Sequence, residues 1–107
     1  VIDHEALGLL LAVEQRYALY SSPAHAWGDP DMKAVIERGA AVIPTLIYAI
    51  SVRGEEGYGL APWLCAHALH LITGEQPIPD EHFGSLSAVL LTWREWAFER
   101  GITPATD

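Results

Sequence analysis

His67 and His70 are the residues whose type and spacing come nearest to chemistry. Three positions apart on a helix, they share a face, and two imidazoles on adjacent turns can grip one cation. Zinc needs a third and usually a fourth ligand. Cys65 falls on another arc of the same helix, and His25, His82 and Glu14 reach the pair only through tertiary structure. No metal and no cofactor is therefore expected. At ~100° per residue, Trp63 and Ala66 join the histidine stripe. Leu64, Cys65, Ala68, Leu69 and Ile72 make the opposite, apolar arc. The stripe reads as a polar seam beside the last helix, or as a partner-binding patch of Trp63, His67 and His70. A half-exposed Trp flanked by polar groups is hot-spot material.

Glu14 is the second candidate. Its neighbours at helical spacing are Leu7, Leu10, Leu11, Tyr17 and Ala18, whereas the polar stripe of that helix runs through Glu5, Gly8, Gln15 and Arg16. Glu14 thus falls in the buried arc, where a carboxylate must be paired, hydrogen-bonded or protonated. It is either a structural acid bonded to a Trp, Tyr, His or Arg94, or a general acid–base with a raised pKa. Paired with His67 or His70, it would make a small ligand-binding or enzymatic site. Leu91 and Phe98 are the third candidates. They lie about two turns apart on the last helix, opposite its core stripe, with Arg94 between them. Either the first helix covers them or they form an apolar patch for a partner or a homodimer.

Other routes to catalysis close early. There is no Gly-x-Ser-x-Gly, Cys-x-x-Cys, His-Glu-x-x-His or calcium-loop pattern. Cys65, the single cysteine, sits on the core arc, where thiols are usually inert packing. The segment Arg53–Gly59 is glycine-rich but matches no phosphate loop, and Glu55 and Glu56 would repel phosphate. It reads as a flexible connection. Asp29/Asp31 and Asp80/Glu81 fall at helix starts, where acids favour the positive end of the helix dipole.

Five helices must position these residues. The first runs from about His4 to Tyr20 behind an Asp3 N-cap and ends at Ser21-Ser22-Pro23. Asp29-Pro30 starts the second, a cap residue before a first-turn proline, and Gly39 ends it. The third covers about Ala41 to Arg53 with Pro44 in its first turn; Ile43, Leu46, Ile47 and Ile50 form its stripe. The fourth covers about Ala61 to Thr73 and stops at Gly74, before a stiff Gln76-Pro77-Ile78-Pro79 bridge. Asp80 or Ser85 caps the last, which reaches Arg100 and stops at Gly101. Leu86, Val89, Leu90, Trp93 and Ala97 are its core stripe. Val and Ile nowhere alternate with polar residues over a useful length, so no strand is expected. The tail 103–107 is expected to fray.

The composition bounds the function. With 107 residues, half of them hydrophobic, the chain suits one domain with one core. Its net charge of −8, from 14 acids and only six Lys and Arg, argues against binding a phosphate backbone. No run approaches the ~18 apolar residues of a membrane helix, and no signal peptide is apparent. One cysteine suits a reducing compartment. The expected location is the cytoplasm, and the scarcity of Lys beside Ala, Gly and Arg suggests a GC-rich bacterial or phage source.

The run Ala41-Val42-Ile43-Pro44-Thr45-Leu46-Ile47, followed by Ala61-Pro62-Trp63-Leu64-Cys65-Ala66-His67-Ala68-Leu69-His70-Leu71-Ile72-Thr73-Gly74, resembles a helical hairpin of the HEAT-repeat type. Thr73-Gly74 and the pair Trp93 and Trp96 resemble the last repeat and capping helix of bacterial HEAT-like proteins. Only one good repeat is present, and solenoids need three or more. The expectation is an all-α domain, an orthogonal bundle of five helices over residues 1–102 with one HEAT-like hairpin. The resemblance implies protein binding and hands over no site residue. The expected function is a non-catalytic protein-interaction module, as an inhibitor, immunity protein or adaptor. Its partner would be another protein with a basic surface, given the acidic balance, or a second copy.

Overall fold

The computed structural model describes residues 2–19, 23–55, 61–78 and 85–106. Tyr20, Ser21, Ser22, residues 56–59 of the Arg53–Gly59 segment, Pro79, Asp80, Glu81 and His82 lie outside the described residues, as does the side chain of Leu86. The described chain is all-α: α1 (His4–Arg16), α2 (Pro30–Glu37), α3 (Ile43–Glu55), α4 (Ala61–Thr73) and α5 (Leu86–Glu99), with 3-10 turns at Pro23–Ala26 and Gly39–Val42.

Local signals fix most ends. Asp3 caps α1, its Oδ1 accepting from Ala6 N–H at 3.0 Å. Asp29 caps α2 by accepting from Asp31 N–H at 2.9 Å, with Pro30 in the first position. Of the two caps offered for α5, Ser85 is used; its Oγ accepts from Ala88 N–H at 3.3 Å. Gly39, Gly74 and Gly101 follow α2, α4 and α5 with φ of 66°, 73° and 69°, the left-handed turn that glycine enters without a Cβ penalty.

Three ends differ from expectation; one is the end of α3, which runs to Glu55, two residues into the segment read as a flexible connection. α1 stops at Arg16 rather than Tyr20, and 17–19 turn away. Arg16 and Tyr17 both bond Asp29, a tertiary tie with no local signal. α3 starts at Ile43 rather than Ala41, because residues 39–42 form a tighter 3-10 turn out of α2.

α3 packs chiefly on α4, α5 on α3, and α1 and α2 on each other and on α4. The core draws Leu46, Ile47 and Ile50 from α3, Leu64, Cys65, Ala68 and Leu69 from α4, Leu10 and Val13 from α1, Met32 and Val35 from α2, and Val89, Trp93 and Ala97 from α5. Each fully buried aliphatic side chain contributes ~2 kcal/mol of transfer free energy. Leu90 and Ile72, expected in the core, are only partly buried against it. Trp93 and Trp96 meet edge to face at 5.2 Å between centroids. The radius of gyration, 12.5 Å, is near the ~13 Å of a chain this long wrapped on one core. Ala105 is buried and donates its N–H to Pro44 O at 2.9 Å, an anchor that the expectation of a frayed tail did not include. Among the described residues, no single helix is long and apolar enough to cross a membrane.

Candidate functional site

α4 carries two surfaces. Leu64, Cys65, Ala68 and Leu69 are buried against the other helices. Trp63, Ala66, His67 and His70 are half-buried on the opposite side, as their spacing requires. They floor a groove of about 400 Å³, walled by Trp27, Leu71, Gln76, Ile78 and Val89.

Trp27 is the wall that sequence reasoning missed. It follows the first 3-10 turn and sits between buried Ala26 and buried Asp29, whose N–H donates to Ala26 O at 3.0 Å. That short span holds the indole face to face with His67, at 4.2 Å between ring centroids and 7° between planes. Trp27 keeps 42% of its surface exposed, so the stack forms an accessible rim. The sequence signal was the Trp27-Gly28 pair beside the Asp29-Pro30 cap, but helical periodicity cannot relate a connecting segment to a helix forty residues on. Burial, and then the nearby His70, hold the His67 imidazole below its ordinary value.

His70 is positioned differently. Its Nδ1 lies 2.9 Å from Glu75 O. A carbonyl only accepts, so Nδ1 carries the proton and the neutral ring keeps its lone pair on Nε2. Glu75 is itself fixed: its N–H donates to Thr73 Oγ1 at 3.1 Å, and its carboxylate accepts from Arg100 at 2.6 Å and from Trp96 Nε1 at 3.2 Å. Arg100 also lies over the Trp96 ring, 4.5 Å from its centroid. The end of α4 is thereby clamped to α5, and Val89 and Ile78 complete the far wall.

Glu14 is buried, as its arc predicted, at 8% exposure. It does not line the groove of His67 and His70. Its charge instead acts on Cys65, whose thiol is pushed up to about 12, chiefly by burial and further by Glu14. Cys65 and His67 stand two positions apart, ~160° around α4, so the thiol and the imidazole lie on different arcs of the helix. Glu14 is thus buried, acts on the thiol of the core arc and is not among the residues that line the groove. Cys65 is a neutral packing residue at ordinary pH. Among the described residues, no group of three or more His, Cys, Asp or Glu could hold a metal ion.

Leu91 and Phe98 are exposed at 56% and 86%. α1, which packs chiefly on α2, α4 and α3, does not bury them. They border a second hollow of about 490 Å³ with Ile47, Ile102 and Pro104, flanked by Arg94, Glu95 and Glu99.

Compared with protein-family models, with curated proteins and with solved structures, the chain finds no match.

Proposed function

We propose that this domain is a non-catalytic protein-interaction module that binds its partner in the Trp27–Trp63–His67–His70 groove. The observation that carries the reading is the stacked, half-exposed Trp27–His67 rim over a floor of Trp63 and Ala66. Binding energy concentrates where large aromatics sit in a partly formed depression with a few polar groups at its border. The border groups here are two imidazoles and the Gln76 amide, which can donate or accept without burying a fixed charge. Pre-stacking of Trp27 lowers the side-chain entropy lost on binding. The resemblance of 41–74 to a HEAT-type hairpin points the same way. The net charge of −8 favours a partner with a basic surface, by attraction at long range and by faster encounter.

Selection of peptides from a random display library tests this. The expected winners combine an aromatic or aliphatic anchor with Lys or Arg. They should lose at least about tenfold in affinity to Trp63→Ala and Trp27→Ala, the loss of one good anchor. Peptides without basic bias, or peptides that bind both variants as well as the parent, would overturn the proposal.

A further inference from the structure

The outer face of α5 is built to meet itself. Leu91, Arg94, Glu95 and Phe98 follow the i, i+3, i+4, i+7 spacing of one helical stripe, and all four are exposed. Val89, Trp93, Trp96 and Ala97 occupy the buried side, so this stripe faces outward. Its order is symmetric about the peptide bond between Arg94 and Glu95: apolar, cation, anion, apolar. A second α5 laid antiparallel across that point sets Leu91 against the other copy's Phe98, and Arg94 against the other copy's Glu95. The same two contacts recur on the far side of the axis, which is the condition for a closed two-fold interface.

The charges on this stripe are also unspent. Arg16, Arg38 and Arg100 are each engaged in ion pairs within the fold. Arg94, Glu95 and Glu99 make no ion pair among the described residues. Glu95 and Glu99 stand one turn apart on α5, an arrangement of like charges that disfavours a lone helix. An arginine from a second copy would relieve it. The hollow of about 490 Å³ beside the stripe, walled by Ile47, Ile102 and Pro104, offers space for the incoming Phe98 ring. We infer that the domain self-associates as a two-fold dimer through α5, with Leu91–Phe98 contacts as anchors and reciprocal Arg94–Glu95 pairs setting the register. This surface shares no lining residue with the Trp27–His67 groove and does not depend on its role. Repulsion between two copies of net charge −8 acts over longer distances, where salt near 0.15 M screens it beyond ~8 Å.

Reversing charges tests the register. Sedimentation equilibrium at 0.15 M salt is run on the parent, Arg94→Glu, Glu95→Arg and the double variant. Circular dichroism verifies that each exposed substitution leaves the helices intact. The parent is expected to dimerise with a concentration-dependent mass. Each single reversal puts like charges against each other twice and should weaken the dimer at least about tenfold. The double variant restores opposite charges across the axis and should regain most of the parent's affinity. A parent that stays monomeric up to about 1 mM, where association would be worth only ~4 kcal/mol, overturns the inference. So does a dimer that ignores the single reversals, or a double variant no better than the singles.

Discussion

Asp29 gathers three donors on one buried carboxylate: Arg16 at 2.5 Å, Tyr17 OH at 3.1 Å and the Asp31 N–H at 2.9 Å. The Arg16 guanidinium first, then the bonds from Asp31 and Tyr17, outweigh burial and hold the carboxyl below its ordinary value. A carboxyl whose folded-state pKa is depressed adds stability above its unfolded value of ~3.9, and that stability is lost as pH falls through the folded value. Asp29→Ala removes a cap and two side-chain bonds and is expected to cost about 2 kcal/mol at neutral pH. Urea unfolding across pH should show the gap between parent and variant narrowing below about pH 4. Asp29→Asn keeps a capping oxygen and should lose less. Because Asp29 also ties down the turn that carries Trp27, this residue links stability to the groove rim. Its capping role was legible in the Asp29-Pro30 pair, whereas Arg16 and Tyr17 as partners were not, since they come from the preceding helix.

At the scale of elements, the starts marked by Asp3, Asp29-Pro30 and Ser85 and the stops marked by Gly39, Gly74 and Gly101 are where the sequence says. The displaced ends are at Arg16, where side chains tie back to Asp29, and in α3, which follows a 3-10 turn at its start and runs on to Glu55. Glu75 is the connection that matters most for the groove, because it joins the end of α4 to Arg100 and Trp96 of α5. Both ionic partners are partly exposed, so the pair itself is screened and modest. Glu75→Ala also leaves the Trp96 N–H without its acceptor, and the expected total cost is about 1 kcal/mol. The backbone carbonyl that orients His70 survives the substitution. His70 should therefore keep its tautomer, readable from ring nitrogen shifts, while thermal stability falls. A loss of the His70 tautomer would mean that the side-chain clamp, not the backbone, positions the imidazole.

For the whole molecule, five helices share one core, and Trp93 lies fully inside it. Its Nε1 meets no hydrogen-bond acceptor among the described residues. A buried, unsatisfied N–H costs about 1–3 kcal/mol, which the packing of the ring must offset. Trp93→Phe removes that donor and most of the ring survives, so its stability is expected within about 1 kcal/mol of the parent. Trp93→Ala should cost about 3–5 kcal/mol, a large share of the ~5–15 kcal/mol that holds a domain of this size folded. Equilibrium denaturation of the two variants distinguishes them. A Phe variant as damaged as the Ala variant would mean that the indole N–H has a partner the structure does not display.

The sequence by itself determined the helical class, the five helices, the glycine stops, the core arc of α4 and the burial of Glu14. Each depends on local periodicity or on capping chemistry within a few residues. Tertiary structure alone decided what those faces meet. It brought Trp27 onto His67 and the Glu75 carbonyl onto His70. It set Glu14 near enough to Cys65 to act on its thiol, left Leu91 and Phe98 uncovered, and docked Ala105 on Pro44. A helix pattern states which side chains share a face. The partner of that face depends on how the connecting segments fold back, and those segments carry no period to read.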